Sequence, residues 1–294
     1  MVASLRDYVA LTKPKIVPLL LIVAFGSSVV ASSMAGGSPL PTWSVLVGVL
    51  LGGSLASAGA LALNSYLEAE TDAMMKRTRN RPLPSLRIVP ASHALVLGSS
   101  LLALGIMVAL LTVNLTASFF IALGAFVYVP VYTLLLKPRT TWNIVLGGFA
   151  GSCAALSGWY AVTFQSAVVA WILAALVFVW TPTHFWSLAV ITEADYSAAG
   201  IPMLPSVVGP DRASKYIVAN TLLLIPISLL FALFLSGTGL YVYLGVAATF
   251  DAILLATNIK LLLSPTKDNA WLAFKFSSPY LAVIFGAAIV AAMF

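Results

Sequence analysis

An all-α, multi-pass membrane protein is the fold class this sequence predicts, and three observations carry the prediction. Of its 294 residues, 61% are hydrophobic and only 8% charged, well beyond the roughly 45–50% apolar content of soluble domains. The apolar residues fall into runs of about 20, the length an α-helix needs to cross a bilayer. All 15 Lys and Arg gather at alternate ends of those runs.

Nine runs are expected as transmembrane helices, at roughly 15–35, 43–63, 91–113, 116–136, 142–162, 168–190, 215–236, 239–263 and 271–293. The first follows Met1 to Lys15, which carries Arg6, Asp7, Lys13 and Lys15. No small-residue cleavage site follows that apolar run, so it reads as a retained span rather than a signal peptide. The second leads straight into a polar stretch that begins at Asn64. Runs three and four are separated only by Val113 to Thr116, as in a tight antiparallel hairpin. The sixth ends in a second polar stretch, Glu193 to Pro205, and the last three show hydrophobicity and little else.

Lys and Arg precede span 1, fill the 2–3 connection (Lys76, Arg77, Arg79, Arg81, Arg87), follow span 4 (Lys137, Arg139) and flank spans 7 to 9 on the same side. The other connections and the C-terminus carry none. The positive-inside rule therefore places the N-terminus and the basic connections in the cytoplasm and the C-terminus outside, in a cell membrane. The net charge of +6 sits at span ends, so it orients the chain among membrane lipid and does not indicate a nucleic-acid partner. The single Cys153 lies inside an apolar run, leaving disulfides no role.

Residues 1–294 read as one polytopic membrane domain. The two polar stretches lie four spans apart and close on similar runs, Pro82-Leu83-Pro84 and Pro202-Met203-Leu204-Pro205. That suggests a pseudo-repeat: spans 1–4 over about 15–136, spans 5–8 over about 142–263, then span 9 over about 271–293. Two loops that merely share turn residues would look the same.

The first polar stretch carries the chemistry. Asn64, Glu68 and Asp72 are spaced i, i+4, i+8, and on a helix each step of four advances about 400°, so their oxygens share a face. Hard oxygens in a row suit Mg²⁺, which takes one or two carboxylates together with substrate phosphates. Lys76, Arg77, Arg79 and Arg81 follow and can hold the same phosphates. The pattern reads as a diphosphate site. A basic loop at the inner edge of a span would explain the cations by topology alone, but not the three oxygen side chains at membrane depth.

Several blocks, in order, resemble the UbiA-type intramembrane prenyltransferases. They are Leu11-Thr-Lys13-Pro14-Lys15-Ile16, Asn64 through Pro82, Tyr132 to Lys137, Asn143 to Gly148, Gly158 to Thr163, Trp180-Thr-Pro-Thr-His184-Phe185-Trp186, and Asp195-Tyr196 through Pro205. Two departures stand out: Glu68 replaces the family's usual Asp, and Thr183 replaces the second Pro of a Pro-Pro-His-Phe run.

The resemblance implies a nine-helix UbiA-type bundle with a cytoplasm-facing site. It also implies Mg²⁺-dependent transfer of a farnesyl group from farnesyl diphosphate to a vinyl group of haem B, and a haem-modifying or terminal-oxidase assembly partner. On that basis Asp195 joins Asn64, Glu68 and Asp72 as a metal ligand from the second half of the chain, and Lys137 joins the four loop cations on the diphosphate. An allylic cation can be stabilised by aromatic faces, which makes Tyr128, Tyr132, Trp159 and Tyr160 candidates as well as ordinary packing or belt residues. His184 is expected either to contact haem or to hydrogen-bond within the bundle. Another acceptor, such as an aromatic acid or lipid precursor, and a two-repeat transporter are the competing readings.

Overall fold

The computed structural model describes residues 3–36 and 38–294. All regular elements among them are helical, in this order: α1 (Leu5–Leu11), α2 (Val17–Met34), α3 (Trp43–Leu67), α4 (Ala69–Met74), α5 (Ser92–Thr112), α6 (Leu115–Leu136), α7 (Asn143–Gly147), α8 (Phe149–Tyr160), α9 (Ala167–Ile191), α10 (Glu193–Ala198), α11 (Leu204–Val208), α12 (Pro210–Phe234), α13 (Gly237–Leu263) and α14 (Lys267–Ala292).

Eight of these, α2, α3, α5, α6, α9, α12, α13 and α14, are long and apolar enough to cross a membrane. The run expected at 142–162 is instead divided, α7 and α8 meeting at Gly148. The expected count of nine is reached only when those two pieces are taken together. The paired glycines explain the break. A Cβ on Gly147 would run into the Tyr132 ring and one on Gly148 would lie 3.1 Å from the Thr181 Cβ, so close packing against two neighbours demands residues that also weaken a helix.

α9 is the central helix, packed against α8, α12 and α14, while α2 leans on α8 and α14. The core follows that arrangement, with Trp159, Leu173, Val177, Trp180, Tyr280 and Phe285 among its buried side chains. A hydrophobic effect cannot drive helix against helix in lipid, so close fit and polar contacts hold the bundle. Both are visible. Between α3 and α5 small residues bring the backbones together: a Cβ on Gly59 would lie 2.6 Å from the Gly98 carbonyl oxygen.

Polar contacts tie α9, α12 and α13. Asn258 donates to Thr221 (2.8 Å), and Asn220 donates to Thr183 (2.8 Å) and to the Val179 carbonyl (2.7 Å) beside Pro182. Thr183, the residue that departs from the Pro-Pro-His-Phe pattern, thus supplies a hydroxyl that this network uses. Asp251, isolated in the sequence, accepts from Ser228 (2.6 Å) on α12 and Tyr280 (2.7 Å) on α14. Its carboxylate is buried and bonded on both oxygens, which is what a polar group at that depth requires.

Two distortions position the site. α3 kinks at Glu68 (φ −97°, ψ 8°), and α4 continues from it. α6 widens into a π-helical stretch over Val127–Leu136 around Pro130, a geometry common at functional positions. Its i→i−5 bonds, such as Lys137 N–H to the Tyr132 carbonyl (2.8 Å), turn Thr133 and Lys137 toward α3.

Replacing Gly59 by Leu should push α3 from α5 and cost about 1–3 kcal/mol, the usual penalty of overpacking. Thermal unfolding in detergent measures it. Gly245→Ala, inside α13 where nothing lies within 4 Å of an added Cβ, should keep the melting temperature or raise it slightly, since alanine favours a helix over glycine.

Candidate active site

Asn64 and Glu68 close α3, and Asp72 sits in α4 one turn beyond the kink. The regular i, i+4, i+8 helix expected from the spacing is thus bent at its middle residue. The bonds Glu68 N–H to Asn64 carbonyl (3.0 Å) and Asp72 N–H to Glu68 carbonyl (2.7 Å) survive the bend. The three side chains therefore still follow one another along one edge. They are 2%, 8% and 1% exposed, and at that burial each needs a partner.

Each finds a cation from a different segment. Lys13 Nζ donates to Asn64 Oδ1 (2.5 Å), Lys137 Nζ to Glu68 Oε1 (2.5 Å) and Arg81 Nη1 to Asp72 Oδ2 (2.7 Å). Asn64 Nδ2 donates to Thr133 Oγ1 (3.0 Å), which itself donates to the Tyr128 carbonyl through the widened turn of α6. Thr78, fully buried, donates to the Asp72 carbonyl (2.8 Å) and folds the following loop back under α4. Lys13 adopts φ +45° in the turn before α2, which brings its side chain over Asn64. Burial above all, with the nearby Arg81 and Lys137 adding to it, brings the Lys13 ammonium down to about 7 against the opposing pull of Glu68 and Asp72.

Asp72 Oδ1 is buried with no hydrogen-bond partner. A buried, unpartnered carboxylate oxygen beside a second carboxylate and an amide oxygen is the donor chemistry that a hard divalent cation takes. Among the described residues no three His, Cys, Asp or Glu converge into a protein-only metal cage. The cluster suits a metal that shares its coordination with substrate phosphates rather than one held by the protein alone.

Asp195 lies opposite, in α10, and its two oxygens accept the backbone N–H groups of Lys76 (3.1 Å) and Arg77 (3.3 Å). The second polar stretch is thereby clamped onto the first, and no hydrogen bond joins the Asp195 carboxylate to Asn64, Glu68 or Asp72. Of the five expected diphosphate cations, Arg81 and Lys137 enter the buried cluster. Lys76, Arg77 and Arg79 are exposed. Lys76 and Arg77 line a separate cleft of about 430 Å³ with Ile191, Thr192, Asp195 and Lys267.

Tyr132 lies beside the cluster: it stacks on Tyr128 (5.8 Å between centroids), and Lys137 Nζ lies 5.9 Å from the centre of its ring. Tyr160 does not. It ends α8 at the opposite end of the bundle, stacked on Phe120 (5.4 Å), and its carbonyl accepts from Asn114 in the α5–α6 connection. The expectation that it lines the substrate site is corrected, because a span that starts near the basic end must finish away from it. His184 is buried between α9 and α14. Its Nδ1 is bonded to Ser277 Oγ (2.5 Å) and its ring is held between Trp180 and Phe274, each 4.6 Å away.

Lys13 and Thr133 escaped the reading of the sequence. Lys13 lay within a matched block but looked topogenic; its Thr-Lys-Pro turn was the available signal. Thr133 meets Asn64 only because α6 is widened, which apolar periodicity does not reveal.

Residues 21–279 match the UbiA prenyltransferase family. The protoheme IX farnesyltransferase 1 of Cenarchaeum symbiosum is 43% identical over 289 residues, spanning 98% of this chain and 96% of that one. The protoheme IX farnesyltransferase of Sulfolobus acidocaldarius is 44% identical over 287 residues, with the same coverage of 98% and 96%. In three dimensions the chain is similar to a digeranylgeranylglyceryl phosphate synthase (TM-score 0.77, 20% identity, 98% of both chains). It is also similar to a UbiA homologue from Archaeoglobus fulgidus bound to GPP and Mg²⁺ (TM-score 0.65, 15% identity, 97% of this chain and 99% of that one). The chain belongs to the UbiA prenyltransferase family.

Lys137→Met should strand the Glu68 carboxylate, whose side chain is only 10% exposed. The expected loss is about 3 kcal/mol, at the low end for breaking a buried pair. Adding Glu68→Gln should recover most of it. A double-mutant cycle on thermal unfolding reads the coupling; additive losses would mean that the pair is solvent-screened.

Proposed function

We propose that this UbiA-family chain transfers a farnesyl group from farnesyl diphosphate to a vinyl group of protohaem IX, giving haem O. The observation that carries the reading is identity of 43–44% over nearly the whole chain to proteins named protoheme IX farnesyltransferase. The buried cluster supports it, since its oxygens and cations are the groups that a departing diphosphate needs.

Asn64, Glu68 and Asp72 would hold Mg²⁺, with Asp72 Oδ1 as the open oxygen, and Asp195 acts by fixing the facing loop. When bound, Mg²⁺ neutralises charge that builds on the diphosphate as the allylic C–O bond breaks. Arg81 and Lys137 add N–H donors on the same side. Arg81 uses only Nη1 on Asp72, so the rest of its planar guanidinium is available to phosphate oxygens. Lys13 donates to Asn64 and orients that amide. These groups stabilise the transition state because they are fixed before the charge develops.

Two further tasks remain. The allylic carbon must be kept from water until the vinyl group attacks it, and an apolar bundle does that. The stacked Tyr128 and Tyr132 rings lie beside Lys137 and present π-faces to developing positive charge. Carbon–carbon bond formation at the vinyl terminus leaves positive charge next to the macrocycle, and water adds there with loss of a proton to complete the hydroxyethylfarnesyl group. The N-terminus and the site lie on the cytoplasmic side in this reading, and the C-terminus outside, because the basic connections share the site's end of the bundle.

The test is incubation of membranes holding the full chain with haem B, Mg²⁺ and labelled farnesyl diphosphate, followed by chromatography of the extracted haem. Labelled haem of increased hydrophobicity is expected. Asp72→Asn and Asn64→Ala should each lower the rate about a hundredfold, the scale of removing one fixed electrostatic contact, with unchanged amounts of protein in the membrane. Label on an acceptor other than haem, or near-normal rates in both variants, would overturn the reading.

A further inference from the structure

The cations at the basic end fall into two sets that differ in burial and in partners. Lys13, Arg81 and Lys137 turn inward onto Asn64, Asp72 and Glu68. Lys76, Arg77 and Lys267 are exposed around the separate cleft of about 430 Å³. Among the described residues the ion pairs are Arg81–Asp72, Arg87–Asp7 and Lys137–Glu68. None involves the outer set.

The one carboxylate lining that cleft is Asp195, and both its oxygens already accept backbone N–H groups, from Lys76 and Arg77. It therefore fixes the backbone that carries two of the cations and leaves their side chains free. The third comes from the first turn of α14, far along the sequence. Three segments thus converge on one opening: the loop after α4, the α9–α10 junction and the start of α14. Its walls also include Ile191 and Ala194, so cationic rim and apolar wall stand side by side. Arg79, equally exposed, does not line it.

The inner set has the Asn64, Glu68 and Asp72 oxygens to hold and, in the proposed function, a diphosphate to receive, whereas the outer set has neither. Resting on the function proposed above, we infer that Lys76, Arg77 and Lys267 receive the two propionate carboxylates of the acceptor haem, with the macrocycle edge against Ile191 and Ala194. A rigid acceptor anchored at its acidic edge presents its opposite, vinyl-bearing edge in one orientation. Lys267 is then a specificity residue for the acceptor, in a part of the chain where the sequence offered only hydrophobicity. An anionic lipid headgroup would suit the same cations, as would the diphosphate on its way to the inner set, and the experiment separates these.

Purified full-length protein in detergent micelles free of anionic lipid is assayed with farnesyl diphosphate, Mg²⁺ and either haem B or its dimethyl ester, in which both carboxylates are blocked. Wild type should show a lower KM for haem B than for the ester. Lys267→Ala should raise the KM for haem B by roughly two- to fivefold, the range of one exposed ion pair. It should leave the KM for the ester and for farnesyl diphosphate unchanged, and Lys267→Arg should restore the preference. Adding Lys76→Ala should reduce that preference further.

Equal KM for acid and ester in wild type overturns the inference. So does a rise in the KM for farnesyl diphosphate alone, which would return these cations to the diphosphate. A Lys267→Ala effect that appears only when anionic lipid is supplied would assign the cleft to a headgroup. Failure of wild type to farnesylate haem B at all would instead remove the function on which the inference rests.

Discussion

A charged or amide side chain buried at the end of a membrane helix must be partnered, and at Asn64, Glu68 and Asp72 that constraint organises much of the basic end of the molecule. The partners come from the turn before α2, the end of α6 and the loop after α4. Meeting the requirement three times over draws together segments spread from residue 13 to residue 137. The kink at Glu68 and the widened α6 belong to the same solution, since each turns a polar group inward. Once the pairs are made, one oxygen, Asp72 Oδ1, remains buried without a partner. That is where the structure is poised for a ligand that it does not itself supply.

Electrostatics gives this arrangement its use. In a medium of low dielectric, fixed charges act strongly on a charge that appears between them. Asp195 contributes differently: by accepting two backbone N–H groups it locks the loop of Lys76 and Arg77 against the second half of the chain. Cations that look alike in sequence thereby take different places, some half-buried against Asn64, Glu68 and Asp72 and others held open around a cleft.

Much of this could be read from the sequence, for reasons that particular residues make plain. Apolar run length is a strong signal because the bilayer thickness is fixed, and the helices were legible almost to their ends. The oxygen row from Asn64 to Asp72 was legible because polar groups beside an apolar run have few bland explanations. What escaped depends on contacts between distant segments. The glycine break at 148 looks like an ordinary apolar run. Thr133 needs a π-helical turn, which carries no periodic signature. Tyr160 was misplaced because aromatic character does not tell which end of a span a residue occupies, although its position just before the 5–6 connection does. Lys13 and Lys267 both read as topogenic, yet one lies on Asn64 and the other on the rim of a cleft.

The central claim is that the buried row of oxygens and cations binds a diphosphate through Mg²⁺. Calorimetric titration of the purified protein with farnesyl diphosphate, with and without Mg²⁺ and with no acceptor present, tests it most directly. Binding should require Mg²⁺ in wild type and weaken by about tenfold or more, some 1.4 kcal/mol, in Asp72→Asn. Equal affinity in both proteins, indifferent to Mg²⁺, would contradict the account.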